Sequence, residues 1–213
     1  MDNEVHINTS SNWSIPGIVM KSAFVPGKLS ICCVNSQSIC ARRMAKFIEL
    51  KQMICVSTVD IICVCETWLN SLTDSSILTI EGYNLVRNDR TGRLGGGVLM
   101  YIKHGLNYNF LDMSENGSNT EYMLCEIRIH REKHLFGVFY NPPNVDCSET
   151  LNSLFCQYGA YYNGMFFLGD FNTNLADSHA SRVARFQDVM TGYGVECIGT
   201  EPTFFSFKRF FTT

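Results

Sequence analysis

Short apolar runs of strand length recur along this chain, and four of them end at a polar side chain. Asn35 follows SICCV, Glu66 follows DIICVC, Tyr140 ends HLFGVFY, and Asp170 follows MFFLG. Polar groups at the carboxyl ends of core strands commonly line the functional face of an α/β fold. The pattern therefore predicts both a fold with buried strands and a site at the ends of those strands.

The segments between these strands carry helical periodicity. Apolar residues recur at helical spacing over residues 41–55, with Ser38 as the predicted N-cap, and further helices are predicted over 148–159 and 180–191. The alternating strand 122–129 and the run 134–140 predict a β-hairpin. Because hairpins occur among interleaved strands and helices, the order favours an α/β sandwich with mixed sheets over a doubly wound parallel sheet.

Composition bounds the class of protein. The chain has 213 residues, of which 46% are hydrophobic and 17% charged, and this excludes a disordered or collagen-like chain. We expect residues 1–27 to be a poorly ordered N-terminal leader and residues 28–213 to form the domain. The N-terminus does not resemble a secretory signal and no apolar stretch is long enough to span a bilayer. These features predict a protein that is not secreted and has no membrane partner, and its reduced cysteines predict an intracellular one, cytoplasmic or nuclear.

Net charge and cysteine content exclude fewer functional classes than the overall composition does. A net charge of −3 argues against a mainly electrostatic nucleic-acid binder but not against an enzyme that acts on nucleic acid. Several of the 10 cysteines sit inside apolar runs, where cysteine behaves as a small buried hydrophobe. Zinc binding is the alternative, but the Cys63/Cys65 pair is followed by no second pair with zinc-site spacing.

The polar residues at the strand ends comprise carboxylates, amides and a phenol. They include no Ser or Cys nucleophile paired with a base and no histidine cluster. Such a set suits a hard divalent cation, Mg²⁺ above all, held by oxygen ligands and water. It also suits direct attack by water on a phosphate ester.

Five segments, in this order, carry a family resemblance: VNSQSI, CETWL, RNDRTGRLGGGVLMYIK, FYNPPN and LGDFNTN. They resemble the endonuclease/exonuclease/phosphatase superfamily and, more narrowly, the apurinic-type endonuclease domain of non-LTR retrotransposons of the jockey and CR1 kind. The resemblance covers residues 29 to about 203. It implies a four-layer α/β/β/α sandwich of two mixed sheets that hydrolyses phosphodiester or phosphomonoester bonds with Mg²⁺ or Mn²⁺.

The resemblance also implies roles for the residues at the strand ends. Glu66 would be the metal ligand, and Asn35 would support the metal and the phosphate. Tyr140 would contact the scissile phosphate, and Asn172 would orient Asp170 or the phosphate. Asp170 would position and deprotonate the attacking water or protonate the leaving oxygen. Structural roles stay open beside these: a helix start for Glu66, a core position for Tyr140, and a turn cap for Asp170 and Asn172.

Weaker expectations concern contacts with DNA, the substrate that the resemblance implies. Asn174 would be a groove contact, and Arg87, Arg90 and Arg93 could meet the DNA backbone, because guanidinium groups suit phosphate oxygens. The alternative for the arginines is a solvated loop. A reverse transcriptase domain would be the partner if the chain belongs to a longer element.

The sequence departs from the family pattern after Glu201-Pro202-Thr203. The family closes with a Ser-Asp-His motif, whereas this chain reads FFSFKRFFTT, and none of its 5 histidines stands in the family context. Gln37 also stands where other branches have an aspartate. We therefore expect a truncated domain that lacks its last strands, with activity reduced by ~10²–10³. Two alternatives remain open: a non-catalytic domain that binds nucleic acid or protein, and a phosphatase or phospholipase of the same superfamily.

Overall fold

The computed structural model describes residues 14–15, 18–24, 29–57, 59–175, 181–198 and 209–212. The chain divides into two compact units, residues 1–106 and 107–213. Each unit contains one six-stranded mixed sheet.

The first unit is built on a sheet with the strand order β1-β2-β3-β4-β6-β5. Its strands are Ser14–Ile15 (β1), Ile18–Phe24 (β2), Ser30–Asn35 (β3), Ile61–Cys65 (β4), Tyr83–Asn88 (β5) and Val98–Lys103 (β6). β3 and β4 run parallel, and every other neighbouring pair is antiparallel. Every residue of β3 and β4 is buried, as their apolar sequences predict.

Helix α1, Ala45–Ser57, connects the two parallel strands and packs Phe47, Leu50 and Ile54 into the core of this unit. The predicted N-cap at Ser38 is wrong. The Ser38 N–H donates to the carbonyl of Glu66, and the backbone from Arg42 to Met44 has positive φ. The segment after β3 is therefore held against residues 66–67, and the helix begins only at Ala45.

The second unit is built on a sheet with the strand order β11-β12-β10-β9-β8-β7. Its strands are Asn107–Met113 (β7), Glu121–Ile129 (β8), Glu132–Tyr140 (β9), Gly164–Asp170 (β10), Glu196–Ile198 (β11) and Arg209–Thr212 (β12). β9 and β10 are parallel, and the other neighbours are antiparallel. The β8–β9 pair confirms the predicted hairpin.

Two helices cover the core of the second unit. α2, Ser148–Tyr158, connects β9 to β10, and α3, Ser181–Gly192, follows β10. Stacked aromatic rings fill the space between α2 and the sheet, with Phe155 on Phe167 at a centroid distance of 5.3 Å. Both helices lie where the periodicity predicted them.

Some elements were not predicted from the sequence. The expected leader, residues 1–27, carries β1 and β2, and β2 pairs along β3 from Met20 opposite Val34 to Phe24 opposite Ser30. The poor order expected of this leader stays a prediction, and residues 1–13, 16–17 and 25–27 lie outside the described part of the chain. β7, β11 and β12 were also missed, and β12 pairs with β10.

Burial confirms the interpretation of most cysteines. The side chains of Cys32, Cys33, Cys63, Cys65, Cys125 and Cys147 are all buried and in the reduced thiol form. None of the helices in the described ranges has the length and apolar character that a membrane span requires.

Candidate active site

The carboxyl ends of β3 and β4 bring together two of the predicted site residues. The Asn35 amide Nδ2 donates a hydrogen bond of 2.9 Å to Oε1 of Glu66. Asn35 is the last residue of β3 and is buried, whereas Glu66 directly follows β4 and is half-buried. The Asn35 amide thus holds Oε1 of the Glu66 carboxylate and fixes the orientation of its other oxygen.

The backbone around Glu66 is fixed on both sides. Glu66 has φ of +53°, an unusual left-handed conformation for a residue with a side chain. Its carbonyl accepts hydrogen bonds from Ser36 Oγ and the Ser38 N–H, both at 2.9 Å. The Thr67 N–H donates to the Gly97 carbonyl. Left-handed backbone at a polar residue is common in functional sites, where surrounding contacts offset its cost of about 1–3 kcal/mol.

Lys46 in α1 also stabilises this end of the sheet, and the sequence analysis missed it. Its ammonium donates to the carbonyls of Ser36 at 2.8 Å and Gln37 at 2.7 Å. Burial and then the nearby Arg42 lower the pKa of Lys46, and the negative charge of Glu66 opposes this shift. We call Asn35, Ser36, Lys46 and Glu66 the Glu66 cluster.

The donor set of the Glu66 cluster fits a magnesium ion held by few protein ligands. Oε2 of Glu66 accepts no hydrogen bond within the described part of the chain, so a carboxylate oxygen remains available. Mg²⁺ commonly binds through one or two carboxylates and completes its octahedron with water and substrate phosphate. No group of three or more His, Cys, Asp or Glu side chains among the described residues could enclose a metal.

The second unit brings together Tyr140 and Asp170 in the same way. They are the last residues of β9 and β10 and stand directly opposite each other in the parallel register. Glu121, which the sequence analysis missed, stands opposite Tyr140 on β8. All three side chains are buried, and Asp170 is only 2% exposed. A carboxylate, a phenol and a carboxylate thus form a row across three neighbouring strands.

Asn172 and Asn141 fix the loops after these strands. The Asn172 N–H donates to Asp170 Oδ1 at 3.1 Å, and its Nδ2 donates to the Asn141 carbonyl at 2.8 Å. The fully buried Asn141 side chain accepts from Thr120 Oγ1 and donates to the carbonyls of Val145 and Phe171. We call Tyr140, Asn141, Asp170 and Asn172 the Asp170 cluster.

Asn141 was also missed, because an asparagine before two prolines reads as an ordinary turn residue. A signal was present in the chain, since both Asn141 and Asn172 follow closely on the ends of buried strands. Their side chains hydrogen-bond backbone across two loops, a role that sequence spacing does not reveal.

Of the remaining candidates, Arg87 lies in β5, and Asn174, Arg90 and Arg93 lie in loops. Asn174 is exposed. Arg87 forms an ion pair with Asp89 at 2.9 Å and donates to the Thr73 carbonyl, a structural role within its own unit. Arg90 and Arg93 line an open cavity of about 400 Å³ in the first unit.

Solved structures that are similar to this chain include nucleases and a phosphatase. The AP endonuclease from Leishmania major matches with a TM-score of 0.66 at 13% identity, over 89% of this chain and 80% of that chain. The endonuclease domain of TRAS1, a telomere-specific non-LTR retrotransposon, matches with a TM-score of 0.63 at 14% identity, over 86% of this chain and 84% of that one. The chain has the endonuclease/exonuclease/phosphatase fold.

A further match is an endonuclease/exonuclease/phosphatase family protein from Leptotrichia buccalis, with a TM-score of 0.63 at 14% identity, over 86% of this chain and 87% of that one. No protein-family model and no curated protein matches the sequence. The predicted fold class, α/β with two mixed sheets, is confirmed. Within the endonuclease/exonuclease/phosphatase fold, the roles of Glu66, Asp170 and the other site residues stay predictions.

Proposed function

We propose that this chain hydrolyses phosphodiester bonds in DNA with the help of a divalent metal ion, as a nicking endonuclease of the non-LTR retrotransposon kind. One observation carries the proposal. In each sheet, the carboxyl ends of the two central parallel strands hold a pair of polar residues, Asn35 with Glu66 and Tyr140 with Asp170. All four are residues that the motifs singled out for this chemistry.

Glu66 would hold Mg²⁺ or Mn²⁺, with Asn35 fixing the orientation of its carboxylate. When bound, such an ion supplies Lewis acidity and neutralises charge on the phosphate. The half-burial of Glu66 supports this role, since a carboxylate oxygen remains accessible while its partner oxygen is held by an amide. An exposed carboxylate without such a partner would have no fixed geometry.

Asp170 would act as the acid–base group. It would take a proton from the attacking water or give one to the leaving oxygen, and both assignments remain within the proposal. The Asn172 N–H donates to Oδ1 of Asp170 and so fixes the orientation of the carboxylate. The Tyr140 hydroxyl would donate a hydrogen bond to a phosphate oxygen.

DNA as substrate is supported by what the structural neighbours are. Besides the TRAS1 and Leishmania enzymes, zebrafish (D. rerio) TDP2 complexed with a single-strand DNA product matches with a TM-score of 0.54 at 11% identity. The same fold also carries a mannosyl-6-phosphatase from Bacteroides thetaiotaomicron, with a TM-score of 0.54. A reverse transcriptase domain of the same element would be the partner in this proposal.

Plasmid nicking with Mg²⁺ or Mn²⁺ tests the proposal. We expect the wild-type chain to convert supercoiled plasmid to the open circle and EDTA to stop this. Asp170→Asn should lower the nicking rate by ~10²–10⁴, the usual contribution of a general acid or base. Glu66→Gln should abolish the response to metal. Glu81→Gln, which changes an exposed carboxylate, is the matched control and should nick at the wild-type rate.

Three outcomes would overturn the proposal. Cleavage that survives both EDTA and Glu66→Gln would come from a contaminating nuclease. Metal-dependent hydrolysis of a small phosphomonoester without any plasmid nicking would replace the endonuclease with a phosphatase. A folded chain that hydrolyses neither substrate would be a non-catalytic domain.

A further inference from the structure

Trp68 is held in an exposed position by the backbone around it. Its side chain is 51% exposed, although its chain neighbours Thr67 and Leu69 are buried. The Trp68 N–H donates to the Gly96 carbonyl at 2.9 Å, and its φ is +56°. A large indole normally contributes buried apolar area to a core. Here the backbone directs it to solvent, between two anchored residues.

An arginine lies beside this indole. A Cβ placed on Gly95 would lie 3.7 Å from Trp68 Nε1 and 3.8 Å from Arg90 Nη1, so the two side chains flank the same point. A Cβ placed on Gly96 would lie 2.3 Å from Arg90 Cζ. The two glycines therefore make the space in which an aromatic face and a guanidinium stand next to each other.

The surface next to this pair is concave and carries two arginines, of which Arg90 also donates from Nη1 to the Leu94 carbonyl at 3.3 Å. The cavity of about 400 Å³ is lined by Asn70, Ser71, Arg90, Thr91, Gly92, Arg93 and Leu94. The nearby carboxylate of Asp89 forms an ion pair with Arg87 of β5, which balances its charge. Arg93 is exposed, and Leu94 is 98% exposed. The guanidinium groups that line this cavity have the donor geometry that suits phosphate oxygens, and the cavity volume lies within the range of small-ligand sites, roughly 300–1,000 Å³.

We propose that Trp68, Arg90, Arg93 and Leu94, here called the Trp68 platform, bind an unpaired nucleotide of a DNA strand. The base stacks on the indole of Trp68, and the phosphates on either side meet Arg90 and Arg93. Base stacking on an aromatic ring combined with cationic contacts to the backbone is how single strands are bound without sequence preference. The choice of DNA as ligand rests on the proposed function, which the platform deepens by adding a site for an unpaired base.

The test measures binding in EDTA, where metal-dependent cleavage cannot occur. The chain has 2 tryptophans, Trp13 and Trp68, so Trp13→Phe leaves Trp68 as the single indole reporter. An oligothymidylate of about eight nucleotides should quench its fluorescence, and an abasic sugar-phosphate strand of the same length should not. Anisotropy of a labelled strand gives the affinity of variants without an indole.

Trp68→Ala should weaken binding of the oligothymidylate about tenfold, within the range for loss of one stacked base, and Trp68→Phe should recover most of it. Tyr161→Ala removes an aromatic ring that is 73% exposed in the other unit, and should leave the affinity unchanged. Arg90→Ala and Arg93→Ala should each reduce the dependence of log K on log salt by about one.

Two results would overturn the platform: equal binding of the abasic and base-containing strands, or equal affinities of Trp68→Ala and Tyr161→Ala. The nicking assay tests the proposed function independently of the binding assay. Metal-dependent nicking together with binding that does not depend on Trp68 would contradict the Trp68 platform and support the proposed function. Binding that depends on Trp68, in a chain that hydrolyses no substrate, would support the Trp68 platform and contradict the proposed function.

Discussion

The two sheets share a central arrangement and place their polar residues differently at its end. β3-α1-β4 and β9-α2-β10 are both parallel pairs joined by a helix. In the second pair Tyr140 and Asp170 are direct register partners, whereas in the first Asn35 stands opposite Cys65 and Glu66 lies one residue beyond the strand. One cluster is therefore positioned by strand register, and the other by a turn.

The side chains of the two clusters are therefore held in place in two different ways. In the Asp170 cluster, Tyr140, Asn141 and Asp170 are buried, and the cluster is held by ladder hydrogen bonds and by the fully buried Asn141. The Glu66 cluster depends on a left-handed residue and on loop contacts from Ser36 and Lys46, and its carboxylate is half-buried. Buried, register-fixed groups suit proton transfer in fixed geometry, and a carboxylate on a turn suits an ion that brings its own water ligands.

The largest expected effect comes from breaking the register that supports the Asp170 cluster. At Gly169, which pairs with Phe139, a Cβ would lie 1.9 Å from the Phe139 carbonyl oxygen, and its φ is +149°. Gly169→Ala must therefore push β9 and β10 apart beside Tyr140 and Asp170. We expect a loss of at least about 4 kcal/mol in the free energy of unfolding, measured by urea denaturation.

The matched control for this change is Gly159→Ala. A Cβ at Gly159 would meet nothing within 4 Å, and the residue has helical φ and ψ of −55° and −35°. It should leave stability unchanged or raise it by up to about 1 kcal/mol. If Gly169→Ala unfolded at the same urea concentration as Gly159→Ala, strand register would not be what positions the second cluster.

A smaller effect distinguishes the two asparagines that organise the clusters. Asn141→Ala removes partners from the Thr120 hydroxyl and from the carbonyls of Val145 and Phe171 and should cost about 2–4 kcal/mol. Asn35→Ala removes the bonds to the half-buried Glu66 and from the N–H of the exposed Gln37, and should cost about 1–2 kcal/mol.

Urea denaturation of both variants checks this order, with the exposed strand residue Asn109→Ala as control, expected within about 0.5 kcal/mol of wild type. Equal costs for Asn141→Ala and Asn35→Ala would contradict the distinction between a buried and a turn-based cluster.

The sequence sufficed for the elements whose signal is local. Periodicity predicts the hairpin and the helices α2 and α3. The buried strands around Cys33, Cys63 and Phe167 are predicted by an apolar run that is followed by a polar residue. The pairs Asn35–Glu66 and Tyr140–Asp170 were predictable as members of one strand-end pattern. Their contacts, an amide on a carboxylate oxygen and a direct register pair, were not.

The features that could not be predicted from the sequence depend on tertiary contacts. Ser38 has the chemistry of an N-cap, but its N–H is used by the Glu66 carbonyl, so the helix starts seven residues later at Ala45. β2 forms strand because β3 offers it a partner edge, although prolines and glycines flank it. Lys46, Glu121 and Asn141 look like ordinary surface or turn residues until the fold places them at a strand end.

The smallest expected effect separates the two ends of β4, where Glu66 follows the strand and Asp60 precedes it. Burial raises the pKa of Asp60, but hydrogen bonds from the Ser30 hydroxyl and N–H and from Lys103 outweigh it, so the pKa is lowered overall.

A carboxyl with a lowered pKa in the folded state stabilises the protein above its unfolded pKa of about 3.9 and loses this effect as pH falls through the folded pKa. Asp60→Asn should therefore cost roughly 1 kcal/mol near neutral pH, and the cost should disappear as the pH falls through the folded pKa of Asp60. Urea denaturation of wild type and variant across this range gives the difference, and a cost that did not change with pH would mean that Asp60 acts through shape rather than charge.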